Sequence, residues 1–263
     1  MKAAGLTPEI REYAETPDRF AEVADGASVS RFDDGRVCVI QGPTWASVCG
    51  VKVGDDEVAG LVERVRELVP AERPCTWWLG PSARPADLHE QLVAHGLAMP
   101  GDHVAVVKAL ALVEPPPAIP AGVEVRRIET FEDFLAGRDV QWDAFAVPEE
   151  RRALQRSRLR EDFDESIEHG IPVGFLATLD GRPAATAMAV PSERGVFLIA
   201  GSTAQWARSH GLYRALVRAR WDYAVERGTP ALVTQAIPGT SYPILKRLGF
   251  QDVCTIDRLE DVH

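Results

Sequence analysis

One stretch decides the fold: residues 196–228, which read VFLIAGSTAQWARSHGLYRALVRARWDYAVERG. Its start, Val196 to Ser202, is apolar and predicts a strand. From Leu212 onward the apolar residues recur at three- and four-residue spacing, which predicts a helix. The polar turn between them leads from a strand into a helix N-terminus. Free backbone N–H groups and the helix dipole favour an anion at such a position.

The residues of this turn also favour an anion. No acidic residue lies between Gln205 and Arg220, whereas arginines stand at 208, 214, 218 and 220. The chain as a whole carries a formal net charge of −10, so the positive charge is local. We interpret the turn as a phosphate site, and a solvated helix start is the alternative.

Composition excludes several classes of protein. A length of 263 residues with 46% hydrophobic content is typical of a globular protein of one or two domains. The acidic net charge argues against nucleic-acid binding, which needs a broad basic face. The four cysteines form no Cys-x-x-Cys pair, so we expect reduced thiols and no metal site. The chain has no apolar run that would span a bilayer and no signal-peptide pattern, which predicts a cytoplasmic protein without a membrane partner. The histidines lack metal-ligand spacing; those considered are His89, His95, His103 and His169.

Two motifs, in this order along the chain, resemble the GNAT superfamily of N-acetyltransferases. The segment 208–217, RSHGLYRALV, resembles the Arg-x-x-Gly-x-Gly/Ala pyrophosphate loop and its helix, with Tyr213 in place of the usual small residue. The segment 235–250, QAIPGTSYPILKRLGF, resembles the last helix and the Gly-Phe entry to the final strand. The resemblance implies an α/β (α+β) fold with a mixed, mostly antiparallel central sheet flanked by helices.

The proline-rich segment EPPPAIP, residues 114–120, predicts a boundary between two tandem lobes. We assign residues 1–113 to an N-terminal lobe, 114–122 to a linker and 123–263 to a GNAT catalytic domain. The N-terminal lobe echoes the helix and strand order of the second, so we interpret it as a degenerate GNAT-like lobe; an unrelated α/β cap is the alternative. Its counterpart of the basic turn holds Asp55, Asp56 and Glu57, which would repel a pyrophosphate.

Two further helices are predicted as continuous elements. One covers residues 8–24, with Thr7 as N-cap and Pro8 at the first helical position. The other covers residues 148–168 and follows a helix over residues 131–145.

The resemblance implies that acetyl-CoA lies between the central strand at 196–202 and a strand at 231–235, which splay apart. An acceptor amine then attacks the thioester directly in a ternary complex. Backbone N–H groups of the central strand polarise the thioester, and those of the turn hold the pyrophosphate, where a Cβ on Gly211 would crowd the phosphate. The implied cofactor-binding residues are Ser202, Thr203, Ala204, Arg208, Ser209, His210, Gly211, Leu212, Tyr213, Arg214 and Ser241.

The acid and the base are less defined. Many GNAT enzymes protonate the leaving thiolate with a tyrosine at the position that Leu245 occupies here. Ser241 and Tyr242 carry the nearest hydroxyls and are the candidate catalytic residues, with helix capping and packing as their alternatives. Asp143, which has aromatic neighbours in the sequence, is the candidate base. The alternative is that Asp143 is an exposed surface acid.

The resulting hypothesis is a GNAT-type N-acetyltransferase that moves an acetyl group from acetyl-CoA to a primary amine, without a metal. One alternative is a CoA-binding regulatory protein without catalysis, and another is a protein–protein adaptor that keeps only the fold. The residues identify neither the acceptor nor the choice between a monomer and a homodimer.

Overall fold

The structure, a computed structural model, describes residues 5–101 and 104–261. Their contacts divide them into two units. The central unit contains Leu112–Thr234 with Gly5 and Leu6, and the terminal unit contains Thr7–Ala111 and the described residues from Gln235 onward. His103 lies outside the described residues.

Helices and strands alternate along both parts of the chain. The first part contains α1 (Pro8–Glu15), α2 (Pro17–Phe20), β1 (Ser30–Asp33), β2 (Cys38–Gly42), β3 (Trp45–Cys49), α3 (Val58–Leu68), β4 (Cys75–Leu79), α4 (Leu88–Ala94) and β5 (Val106–Leu112). The second contains β6 (Val123–Arg127), α5 (Phe131–Ala144), α6 (Glu149–Arg156), α7 (Leu159–His169), β7 (Val173–Leu179), β8 (Arg182–Ser192), β9 (Gly195–Thr203), α8 (Leu212–Glu226), β10 (Leu232–Ala236), α9 (Ser241–Arg247) and β11 (Gln251–Asp261).

The strands of the central unit follow the order β10-β9-β8-β7-β6. All of these neighbours are antiparallel except β9 and β10, which are parallel. Helix α8 packs on β9, β8 and β7 through its apolar face, on which Leu216, Val217 and Ala224 are fully buried. This face has the three- and four-residue spacing that predicted the helix.

The strands of the terminal unit follow the order β1-β2-β3-β4-β11-β5. Only β3 and β4 are parallel among its pairs. Val48, Trp77 and Leu92 lie at the centre of its core with no exposed surface. The expected fold class, a mixed and mostly antiparallel sheet flanked by helices, is therefore confirmed.

The grouping of the C-terminal residues differs from the predicted division of the chain. The change of unit between Ala111 and Leu112 lies near the predicted linker at 114–122, but residues after Thr234 group with the N-terminal residues. The reason is that β11 pairs with β4 on one side and with β5 on the other. The assignment of residues 123–263 to a catalytic domain stays a prediction.

Two helices that the pattern predicted as continuous are each divided. The first ends at Glu15 because Pro17 lacks the N–H that would continue the helix, and α2 restarts there. Thr7 is its N-cap as predicted, since its hydroxyl accepts a bond of 3.4 Å from the Ile10 N–H. The predicted helix at 148–168 is interrupted around Ser157 and Arg158, which separate α6 from α7.

No helix in the described ranges is long and apolar enough to cross a membrane. Within the same ranges, no group of three or more histidine, cysteine or acidic side chains is arranged to hold a metal ion.

Candidate functional site

The turn between β9 and α8 exposes backbone N–H groups. Ser209 and Gly211 have φ angles of +70° and +79°, so left-handed residues alternate with right-handed or extended ones along the turn. Helix α8 then begins after Gly211 without a side-chain cap. Among the described residues, no acceptor bonds the N–H groups of Leu212 or Tyr213, whereas Ala215 already donates to the Gly211 carbonyl at 3.0 Å. Such a concave set of N–H groups at a helix start binds anions.

Arginine side chains surround this turn. Arg208 is exposed, and no ion pair to it is found in the part of the chain that the structure describes. The Nε of Arg214 is buried and has no hydrogen-bond partner there either. Arg218, by contrast, is paired with Asp222 at 2.9 Å and donates to the Pro116 carbonyl at 3.3 Å. Arg208 therefore remains available to a bound anion, and Arg214, whose Nη2 lies 3.6 Å from the Cβ position of Gly211, keeps an unsatisfied donor.

His210 holds the turn rather than reaching outward. Its Nδ1 lies 2.9 Å from the Arg208 carbonyl and 3.3 Å from the Ala207 carbonyl. When Nδ1 carries the proton, it donates a hydrogen bond to one of these carbonyls, which fixes the backbone of the turn. The His210 side chain is thus engaged within the turn, and the prediction that His210 binds the cofactor now concerns its backbone.

Gly211 is required for a reason that the sequence did not reveal. A Cβ placed on it would lie 2.7 Å from Cγ of Pro120, a contact that real Cβ atoms do not make. The proline-rich segment therefore lies directly on the start of α8. This close approach and the left-handed φ together explain why position 211 holds a glycine, and the explanation does not require a bound phosphate.

β9 and β10 separate after a short paired stretch. They pair at only two positions, Leu232 with Val196 and Val233 with Phe197. One side-chain bond of 3.0 Å, from the Thr234 hydroxyl to the Leu198 carbonyl, follows. Beyond Leu198, the edge of β9 that faces β10 has no ladder partner in the described residues. Such an edge offers backbone groups to an extended ligand.

A β-bulge lies on this unpaired part of β9. Met188 of β8 pairs with Ile199 and Thr186 pairs with Ser202, so Ala200 and Gly201 together oppose Ala187. Ala200 has a φ of +53°, which is unusual for a residue with a side chain. Bulges of this type are frequent beside active sites because they redirect backbone groups.

The residues after the bulge differ in what they can bind. The Ser202 side chain is buried, and its Oγ has no partner; the same holds for Oγ1 of Thr203 among the described residues. The N–H of Ala204, however, already donates to the Ala184 carbonyl at 2.8 Å. The β8–β9 ladder thus uses the Ala204 N–H, and the assignment of Ala204 to cofactor binding stays a prediction.

Tyr213, the departure from the motif, points inward. Its ring packs on Gly201, where an added Cβ would lie 3.1 Å from Cε2. The ring therefore leaves the N–H groups of the turn open. A large side chain on the helix is matched by the absence of one on the strand.

Sequence reasoning missed the role of Arg220. This residue was counted among the charges of the turn, but its side chain is buried at 1% exposure. Nε donates to the Leu216 carbonyl at 3.0 Å and Nη1 to the Met188 carbonyl at 3.2 Å, while Nη2 has no partner within residues 5–101 and 104–261. Its spacing was the available signal, since it stands four residues after Leu216 on the apolar face of α8.

The candidate catalytic hydroxyls lie in the terminal unit. Ser241 is the first residue of α9, and Leu245 of the same helix is fully buried. A hydrogen bond to Asp252 raises the pKa of Tyr242, so this hydroxyl already donates to a carboxylate. Asp143, the candidate base, is 67% exposed and pairs with Arg152 at 2.9 Å. It has the surroundings of a surface acid.

The counterpart of the basic turn in the terminal unit is occupied by an acidic side chain. Glu57 accepts a bond of 2.7 Å from the Gly54 N–H, just before α3. It also pairs with Arg36 at 2.5 Å. The carboxylate therefore takes the place of an external anion at this helix start.

Solved structures share this fold over nearly the whole chain. A GCN5-related N-acetyltransferase from Kribbella flavida matches with a TM-score of 0.65 at 20% identity, covering 97% of this chain and 96% of its own. A tandem GNAT protein from the clavulanic acid biosynthesis pathway matches with a TM-score of 0.59 at 16% identity, over 98% and 89% of the two chains. A GCN5-related N-acetyltransferase from Sphaerobacter thermophilus matches with a TM-score of 0.53 at 16% identity, over 86% and 80%. No protein-family model and no curated protein matches the chain. The fold is that of tandem GNAT proteins.

Proposed function

We propose that this protein is an N-acetyltransferase that moves an acetyl group from acetyl-CoA to a primary amine. The observation that carries the proposal is the turn at Arg208–Arg214, an acid-free anion site directly after a strand whose edge is unpaired beyond Leu198. A pyrophosphate and an extended arm are the two parts of CoA that these features fit. Their chemistry matches because the free groups are N–H donors and guanidinium groups.

In this reaction the backbone of the turn binds the pyrophosphate, with Arg208 and Arg214 supplying side-chain charge. The unpaired edge of β9 binds the pantetheine arm and aligns the thioester. Backbone N–H groups at the bulge polarise the thioester carbonyl, and the acceptor amine attacks it directly. CoA supplies the activated acyl group, while the protein supplies position and electrostatic stabilisation.

The first test is thermal unfolding with acetyl-CoA at a hundred times its dissociation constant, which should stabilise the native state by about 2.7 kcal/mol. For a chain of this size that corresponds to a rise in Tm of roughly 5 °C or more. Arg208→Glu should abolish most of the rise, because it places an acid in the turn. Arg151→Glu, the same charge reversal at an exposed position of α6, should preserve it.

A wild-type protein that shows no rise would refute both the enzyme and the CoA-binding regulatory alternative, and would leave the adaptor. Binding followed by acetylation of any member of a panel of amines establishes the transferase. Binding without turnover across that panel supports the regulatory alternative, for which the buried Leu245 and the bonded Tyr242 are the structural argument.

A further inference from the structure

The terminal unit contains a cavity of about 140 Å³ between the β1–β2 turn and the start of α3. Asp34 and Arg36 line it on the side of the turn, and Glu57, Gly60 and Arg64 line it on the side of the helix. A single water needs only roughly 10–15 Å³ of such space, so the cavity has room for a small molecule. Its lining residues all fall within positions 34–64, so it is built without the residues of the candidate acetyl-transfer site.

Gly60 keeps part of this space open. It lies inside α3, where a glycine destabilises the helix relative to an alanine. No atom lies within 4 Å of its Cβ position and its φ is not left-handed, so neither packing nor the backbone requires a glycine. Gly137, inside α5, differs because its Cβ would lie 3.0 Å from Oγ1 of Thr186. A residue that opposes the local preference without a structural reason is expected at a functional site.

Two ion pairs stand at the mouth of the cavity. Arg36 pairs with Glu57 at 2.5 Å, and Arg64 pairs with Asp34 at 3.1 Å. The Arg36, Glu57 and Arg64 side chains are about half exposed, and ion pairs of this kind contribute little to stability. A ligand can therefore replace either pair at a small cost. Arg36 pairs through Nη2 and Arg64 through Nη1, so each guanidinium keeps further N–H donors.

Glu57 supplies a free acceptor at the same place. Its bonds from the Gly54 N–H and from Arg36 both end on Oε2, and Oε1 accepts no bond within the described residues. The Gly54 N–H, followed by the Arg36 guanidinium, lowers the pKa of Glu57, so this carboxylate is charged at neutral pH. Asp34, by contrast, is held by the N–H groups of Arg36 and Val37 at 2.9 and 3.1 Å.

The rest of the lining is aliphatic and consists of Val37, Val53 and Leu61. Guanidinium donors, a carboxylate acceptor and an apolar floor thus meet in one small space, and the two arginines balance the two carboxylates. A ligand that carries both charges and an aliphatic arm matches this lining. We propose that the cavity binds a free aliphatic amino acid: Arg36 and Arg64 bind its carboxylate, Glu57 binds its ammonium group, and its side chain packs on the apolar floor. The inference does not depend on the proposed function.

L-Leucine is the probe, and amide proton–nitrogen NMR correlation spectra of the full chain are the readout. Leucine at up to about 10 mM should shift the Gly54 and Gly60 resonances saturably, with a Kd of about 1 mM or lower. Gly60→Leu places an aliphatic side chain in the cavity and should weaken leucine binding, followed at Gly54, by at least about tenfold. Ala59→Leu is the matched control, because Ala59 is exposed on the same helix but lies off the face that lines the cavity. It should preserve the affinity.

Two analogues test the need for both charges. Isocaproate lacks the ammonium group and isopentylamine lacks the carboxylate, and each should bind at least about tenfold more weakly than leucine. Arg64→Gln should weaken the binding of leucine and leave that of isopentylamine unchanged. Equal binding of leucine and either analogue would overturn the assignment to an amino acid. The absence of a shift at both glycines in wild type would overturn the site. So would equal affinity in Gly60→Leu, since leucine would then bind elsewhere, for instance as an acetyl acceptor.

Discussion

Gly211→Ala isolates the contact between the proline-rich segment and the start of α8. An alanine at a φ of +79° is strained by about 1–2 kcal/mol. Its Cβ would also lie 2.7 Å from Cγ of Pro120, and overpacking of this kind costs about 1–3 kcal/mol. Alanine also makes the unfolded chain less flexible than glycine does, which stabilises the folded state by about 0.4–1 kcal/mol. We therefore expect the free energy of unfolding to fall by about 2–4 kcal/mol.

Pro120→Ala separates the two costs, because it removes Cγ and keeps Cβ, which lies 3.6 Å from the added methyl. Urea unfolding followed by tryptophan fluorescence should give a coupling energy of about 1–3 kcal/mol between the two substitutions. Gly228→Ala is the control: its φ is +77°, but no atom lies within 4 Å of its Cβ position. It should show the strain alone and no coupling to Pro120→Ala. A Gly211→Ala variant as stable as Gly228→Ala would refute the contact.

Two further predictions concern titration. Burial, followed by the charge of Asp261, raises the pKa of the Cys75 thiol to about 12, so the folded state keeps a proton that the unfolded chain loses near pH 9. The stability that this group contributes is fully present below about pH 9 and falls as the pH rises toward 12. Mass spectrometry should show that iodoacetamide at about pH 9 alkylates Cys75 at least 100-fold more slowly in the folded protein than in urea. Equal rates would contradict the burial of Cys75. The Arg126 guanidinium, bonded at 2.7 and 2.9 Å, lowers the pKa of Asp133, so this pair stabilises the fold above the unfolded pKa of about 4 and the stability is lost as pH falls through the folded value. In urea unfolding, Asp133→Asn should lower the free energy of unfolding by less than about 1 kcal/mol at neutral pH and by progressively less in acid. A decrease that does not change with pH would mean that the substitution acts through packing.

The parts of the fold that the sequence predicted are those that local patterns determine. The strand, turn and helix at 196–228 are correct because an apolar segment, a polar turn and an apolar stripe of helical spacing are all patterns of neighbouring residues. Pairing joins β11 to residues of β4 that lie roughly 180 positions away and to residues of β5 roughly 145 positions away. The ion pair of 2.7 Å between Arg66 and Asp261 spans 195 positions. No local pattern encodes such partners.

The candidate site shows the same division. The sequence predicts the position of the turn, its charge and its free N–H groups, because these features depend on residues that are adjacent in the chain. The reason for Gly211 lies in Pro120, which is remote in sequence and offers no pattern that points to the turn. The place of Arg220 could have been found from its spacing on α8, but its bonds to the Met188 carbonyl of β8 could not.

The exchange between Tyr213 and Gly201 changes how a motif departure should be interpreted. Taken alone, a tyrosine at a position that usually holds a small residue argues against binding at the turn. The structure shows the ring against a strand glycine, so the volume added on the helix is volume absent from the strand. Because the ring turns inward, the backbone N–H groups of the turn keep their exposure, and the hydroxyl comes to lie beside the bulge. The same substitution therefore leaves the N–H groups of the turn exposed and fills the space that a side chain at position 201 would take, which is why the two positions have to be considered together.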